Sequence, residues 1–500
     1  MAPKQLIRTT ALSIFIYATS LSGFAQTALV NEINGINTPA VALAPLRFLA
    51  SDELMGRGTM RPEINIAARY ISEQFRSLGI KEVSGATDYF QTFDIKMITP
   101  SNAGTLTINT NSYKLGTDLL QVEGADLSLS APMIYAGFGT KADLDKIDVK
   151  GKIVVVNMGS NDSSSFMEGF ELMSEKTKSA KERGAVALIQ RFKQADVPWD
   201  GLKQYLMGEH PMDPAATDFP VFIINDEKIS LPSLLKNKSE NTIINITGTQ
   251  TKTISAKNVM GWVEGTDAKL KDQFVVLSAH YDHLGVAKQP KMEEGKMDSI
   301  YNGARDNAIG TTAVIDAARY FVQHPPKRSV LFIAYTAEEI GEVGSKYFGA
   351  HPTIPLRQLI YNLNIDNASY NDTTIVTVIG LGRTSADDDI KKACTAFGLS
   401  AMPDPAPEQN LFDRSDNTNL AEKGIPSPTF SLGIKKFDDV IMKRYHQLSD
   451  EVGNFDLNYG MKYINSFILA GKLIADDATQ PYWIKGDKYE PAWKELYGKK

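Results

Sequence analysis

The segment VVLSAHYDHLG at 275–285 runs apolar residues into Ala279 and then sets His280, Asp282 and His283 within four positions. Other apolar runs end in a similar way. SVLFIAY is followed by TAEEIG, which brings Glu338 and Glu339, and LIYNLNI is followed by Asp366. The loop-to-helix junction NGARDNAIG adds Asp306, and RYHQLSDE adds His446. In open α/β sheets the working site lies beyond the carboxyl ends of the strands, so these side chains are expected to meet. Carboxylates and imidazoles gathered from separate elements repel or stay unpaired without a cation. Two zinc ions answer this, because zinc accepts His nitrogen and carboxylate oxygen at near-tetrahedral geometry. Two dications against Asp306, Glu339 and Asp366 leave one net positive charge to acidify a water. Glu338 is then the general base: consecutive side chains diverge, so Glu339 can face metal while Glu338 faces the water.

The elements that must position these residues follow from the pattern. Continuous apolar strands are expected at 274–279, 329–335, 359–365, 374–380 and 428–432, with helical stretches such as NAIGTTAVIDAARYFVQ between them. That rhythm predicts an α/β fold with a mostly parallel central sheet sandwiched by helices. Upstream, EINIAARYISEQFRSLGI carries Ile64, Ala67, Ala68, Ile71, Phe75 and Leu78 at helical spacing, with Gly79 just past its end. From 101 to 255 the character changes to short β-like runs (PMIYAGFG, KIVVVN, AVALIQ, FPVFIIN) around one clear helix near SEKTKSAKERG. That stretch reads as an inserted β-rich module.

Five blocks in this order, SAHYDHLG, GARDNAIG, AYTAEEIGEVGSKYF, LNIDN and RYHQLSDE, resemble the co-catalytic di-zinc aminopeptidase family, which includes secreted bacterial leucyl aminopeptidases and glutamate carboxypeptidase-like peptidases. The resemblance implies the zinc-exopeptidase fold and a role for each matching position. His280 and Asp366 would hold one zinc, Glu339 and His446 the second, and Asp306 would bridge them. Glu338 would be the general base. Asp282 would take the other ring N–H of His280, and Tyr445 would stabilise the oxyanion. His283 is assigned to the pocket lining, and His210, His324 and His351 receive no role. The insert, with YAGFG and DVKGKIVVV, resembles a protease-associated domain. Two positions depart from the family pattern: Arg305 stands where many relatives have a small or acidic residue, and Ser415–Asn417 read Ser-Asp-Asn where many have Ser-Asp-His.

The expected organisation is a signal peptide at 1–25, an N-terminal part of the peptidase domain at 26–124, the protease-associated insert at 125–254 and the catalytic domain at 255–500. Lys4 and Arg8 ahead of an apolar stretch, then Gly23-Phe24-Ala25, give the signal its shape, with cleavage before Gln26 and export to the periplasm or medium. No later stretch suits a membrane anchor. A net charge of −6 gives no reason to expect nucleic acid, and the single cysteine, Cys394, excludes an intrachain disulfide. The chain contains neither G-x-S-x-G nor H-E-x-x-H. The implied activity is release of N-terminal residues from peptide substrates. The same scaffold also serves carboxypeptidases and dipeptidases, which need a cation for the substrate carboxylate, with Arg305, Arg383 and Arg414 as its sources. A glutaminyl cyclase would use a single zinc, and a binding-only ectodomain would lack ligands. Nothing in the composition specifies an oligomeric state.

Overall fold

The structure is a computed structural model that describes residues 27–193, 197–212, 219–226 and 239–499; the expected export signal lies outside the described residues. The chain divides into two compact units, one formed by the residues up to Phe93 together with those from Ser255 onward, the other by Asp94–Ile254.

The first unit is built on a mixed sheet. Among its strands are β1 (Gln250–Val263), β2 (Phe274–His280), β5 (Ser329–Tyr335), β6 (Leu359–Ile365), β7 (Ile375–Ile379), β8 (Ser400–Pro403) and β9 (Thr429–Ser431). A two-stranded hairpin, β3 (Gly285–Glu293) and β4 (Lys296–Tyr301), leaves the sheet between β2 and β5. The spatial order is β8-β7-β9-β6-β2-β5-β1. At the centre β2 pairs in parallel with both β5 and β6, and β6 with β9, while β1 joins β5 antiparallel. The mostly parallel centre is thus as expected.

Helices cover both faces. They are α1 (Ile64–Leu78), α2 (Ile309–Gln323), α3 (Val343–Ala350), α4 (Asp387–Ala396) and α5 (Leu457–Asp476). Every residue of β2 is buried, and its alternate side chains enter different layers. Val275, Leu277 and Ala279 join α1, α2, α4 and α5 in one core, and Phe274 and Val276 join Phe348 of α3 in another. Helix α1 ends where Gly79 takes φ 73°, a left-handed conformation that glycine adopts without a Cβ penalty.

The second unit has its own eight-stranded sheet. It takes in Gly104–Ile108 and Leu119–Glu123, which pair with Ser239–Ile246 and Val221–Asn225, so it begins well before residue 125. Its longer described helices are Phe166–Glu182 and Trp199–Leu206. The second is not evident in the sequence because Pro198 and Gly201 resemble loop signals, although Trp199, Leu202 and Leu206 share a helical face. Separate apolar clusters lie on the two faces of this sheet.

The α1 layer depends on Phe75, which is fully buried against the rings of Tyr89 and Phe332. Phe75→Ala is expected to cost about 3–5 kcal/mol, read as a lower denaturant midpoint of the first unit.

Candidate metal centre

At the carboxyl end of β2 the chain reaches His280, Tyr281 and Asp282, all within 1% of full burial. The His280 Nδ1–H faces the backbone carbonyl of Asp282 at 3.2 Å, and Nε2 points into the site, 3.2 Å from Asp366 Oδ1. The Asp282 carboxylate lies farther from that ring, at 3.9 Å. It accepts instead from the Thr59 hydroxyl at 2.8 Å and the Glu338 amide at 3.1 Å. The ring tautomer expected from the Asp282 side chain is therefore set in this structure by the Asp282 main chain.

The expected ligand atoms converge in two groups that share Asp306. His280 Nε2 lies 3.3 Å from Asp306 Oδ1 and 3.2 Å from Asp366 Oδ1. His446 Nε2 lies 3.2 Å from Asp306 Oδ2 and 3.3 Å from Glu339 Oε2. Donors around a tetrahedral zinc with bonds of ~2.0–2.1 Å stand roughly 3.3 Å apart along each edge. Both groups have that spacing, and the two oxygens of Asp306 face different imidazoles. One donor from each of His280, Asp306 and Glu339 also lies within 4.8 Å of the others. Asp306 Oδ1 is buried without a hydrogen-bond partner, as expected of an atom meant for a cation. The residues therefore fit a pair of zinc-sized ions. His283, read as pocket lining, stands inside the cluster, with Nδ1 2.5 Å from Glu339 Oε1.

The electrostatics show how strongly the cluster demands positive charge. Burial would raise Asp306, yet His283, His280 and His446 hold its carboxyl far below the usual range. Burial would likewise raise Glu339, and it is held at about 2 by His283 and His446. His446 moves oppositely: burial would lower it, but hydrogen bonds to Asp306 and Glu339 lift it to about 10. Glu338 is pushed well above the carboxylate range by burial and by Asp366 and Glu339. The Tyr445 hydroxyl rises through burial and the same carboxylates, and its ring packs on His446 with centroids 4.1 Å apart.

Several residues that hold this geometry lie outside the motifs that sequence reasoning singles out. Arg57, fully buried, donates to the carbonyls of Leu49, Tyr281, Asn302 and Gly303. It thereby ties the end of β2 to the loop before Asp306. Burial lowers it to about 10, with Asp306, Asp282 and Asp450 opposing. Asp450 accepts from the amides of Arg305 and Asp306 and pairs with the Arg305 guanidinium at 2.8 Å. Asn307 Nδ2 donates to Ile365 O at the end of β6, and Asn258 bonds to Thr336 N and Gly344 O on either side of Glu338 and Glu339. A charged residue flanked by glycines, as in MGRGT, is the one sequence signal that points to Arg57. The departures from the family pattern have structural partners: Arg305 sits over the rings of Tyr370 and Phe455, and Asn417 donates to Phe412 O and Ser427 O. Asp416, the residue before Asn417, is buried, which raises it to about 8.

Buried imidazoles and carboxylates gathered beyond the strand ends of an α/β sheet make a donor set suited to a metal ion. Residues 258–465 match the model of peptidase family M28. The chain is 24% identical over 330 residues to aminopeptidase YwaD of Bacillus subtilis (strain 168), an alignment covering 65% of this chain and 62% of that protein. It is 24% identical over 160 residues to a vacuolar membrane protease of Schizosaccharomyces japonicus, covering 31% of this chain and 17% of that protein. The chain thus spans less than two thirds of the length of these relatives. Its fold is similar to that of the aminopeptidase from Aneurinibacillus sp. strain AM-1, with TM-score 0.60, 19% identity, and 90% and 97% of the two chains covered.

Removing the Arg57 donors would leave buried carbonyls unpaired beside the cluster. Arg57→Met is expected to lower stability by about 3 kcal/mol or more, measured by denaturant unfolding of the metal-free protein.

Proposed function

We propose that this chain is a zinc-dependent exopeptidase that removes N-terminal residues from peptides. The observation that carries the reading is the pair of donor groups sharing Asp306, with Glu338 beside them. In this reading His280, Asp306 and Asp366 hold one zinc, and Asp306, Glu339 and His446 hold a second. Bound zinc supplies a Lewis acid strong enough for water to lose a proton near neutral pH. Glu338, on the wall of the cavity beside Glu339, is placed to accept that proton and to pass it to the departing amine. Tyr445 keeps its own proton and donates a hydrogen bond to the carbonyl oxygen as charge develops there.

The cavity over the cluster measures about 260 Å³ and is lined by Glu338, Glu339, Glu342 and Asp366. Such a wall suits an ammonium group. Of the arginines weighed for binding a substrate carboxylate, Arg305 is paired with Asp450 and Arg383 is paired with Asp487. Arg414 alone of the three lines this cavity, and it gives the second reading, a carboxypeptidase or dipeptidase. An adjoining recess with Ile379, Leu411, Ile434 and Phe437 on its wall offers space for an apolar side chain. We further infer export from residues 1–25, and a protease-associated module in the second unit, whose β-rich sheet supports that assignment. No helix among the described residues is long and apolar enough to cross a membrane.

The deciding experiment compares a good peptide substrate with its N-acetylated form. Cleavage is expected to disappear on acetylation, and undiminished cleavage would favour the carboxypeptidase reading instead.

The neighbouring glutamates separate base from ligand. Glu338→Gln keeps shape and metal and is expected to lose at least about a hundredfold in turnover, within the range of general-base catalysis. Glu339→Gln exchanges an anionic ligand for a neutral one, so metal analysis should find less zinc, with partial recovery in excess zinc. The reverse pattern of metal content would exchange the two roles.

A further inference from the structure

The hairpin β3–β4 is an excursion between two halves of the site: it begins just after His283 and ends just before Gly303 and Asp306. Its root is seated closely, since a Cβ on Gly56 would meet the Tyr301 carbonyl at 2.6 Å. Its tip is a two-residue turn, Glu294-Gly295, closed by the Glu293↔Lys296 pair. Both turn residues have positive φ, 46° for Glu294 and 87° for Gly295. A turn with positive φ at both central positions prefers Asn-Gly or Asp-Gly. Glutamate there is strained by its Cβ and lacks the short side chain that stabilises this conformation locally.

The reach of the longer side chain is what the strain accompanies. Glu294 Oε1 lies 3.0 Å from Arg444 Nη2 and 3.6 Å from Lys443 Nζ. Those two residues immediately precede Tyr445 and His446. Arg444 carries the constraint onward: its Nη1 donates to Ser449 O at 2.8 Å, and Ser449 Oγ donates back to Lys443 O at 2.8 Å. The turn so clamped holds His446 at φ 55°, itself an uncommon conformation. An exposed ion pair contributes little to stability, less than left-handed strain at a residue with a Cβ removes. The arrangement is therefore explained by position rather than by stability.

We propose that Glu294 is a positioning residue, which acts through Arg444 to hold the turn bearing Tyr445 and His446 over the metal cluster. The proposal rests on the zinc reading given above. Glu294→Asn tests it with effects of opposite sign, because asparagine suits the turn but cannot reach Arg444. Thermal stability of the full chain should be unchanged or higher. Zinc release to a chromogenic chelator should be about tenfold faster, the lower end of the range for groups that hold ligands in place, and kcat should fall more than KM changes. In an Arg444→Met background the same substitution should add nothing further. A wild-type chain with two zincs, and a Glu294→Asn variant releasing them at the wild-type rate, would overturn this proposal alone. So would a full additional effect in the Arg444→Met background. A wild-type chain that binds fewer than two zincs would overturn the zinc reading and this proposal with it.

Discussion

Charge compensation in a buried volume governs this structure. Asp306 and Glu339 stand almost wholly out of water, with Asp282 and Asp416 fully buried near them. Anions brought so close without compensation would take up protons or force the strand ends apart. The opposing shifts of the cluster's carboxylates and imidazoles describe the metal-free solution, in which His446 carries a proton and Asp306 and Glu339 do not. Positive charge held among these side chains would do more, because Asp306, Glu339, Asp366, His280 and His446 could all serve as its donors. The sheet and its helices can thus be read as a frame that tolerates the cluster only when positive charge fills it.

The frame achieves this by joining the loops to one another rather than only to the strands. Arg57 links the segment after β2 to the one before Asp306. Asn307 links Asp306 to the end of β6, and Asp450 links it to the turn of His446. Asn258 holds the loop of Glu338 and Glu339 from both sides. Each of these bonds is buried, where an unmade partner costs more than in water. Loops are usually the softest part of an α/β domain; these are cross-braced, and the ligand spacing near 3.3 Å is the outcome.

What was legible in the sequence follows the same division. The strands were readable because a parallel strand buried on both faces is mostly apolar, and β5 and β6 occur with the bounds the pattern gave. The residues expected to bind metal were readable because imidazole and carboxylate after such a run have few other uses, and the structure brings His280, Asp306, Glu339, Asp366 and His446 together. The bracing was not readable. Arg57, Asn258, Asn307 and Asp450 are ordinary polar residues whose partners lie far away in sequence, and only the fold brings them within bonding distance. The backbone contact that orients His280 was hidden for a related reason, since a main-chain carbonyl has no sequence signature.

The adjacent pair Glu338 and Glu339 shows why braces and chemistry cannot be treated separately. Two neighbours with the same side chain differ in proton affinity in opposite directions, and nothing in their covalent structure distinguishes them. Glu339 meets two imidazoles, which stabilise its anion, whereas Glu338 lines the cavity beside Asp366 and has its amide held by Asp282. The difference therefore comes from where the backbone between them is fixed. That backbone is fixed by Asn258 across the loop, by Asp282 at the amide, and by Thr59 holding the other Asp282 oxygen. Two carboxyls of opposite proton affinity are thus produced from one dipeptide by four hydrogen bonds that touch neither of them.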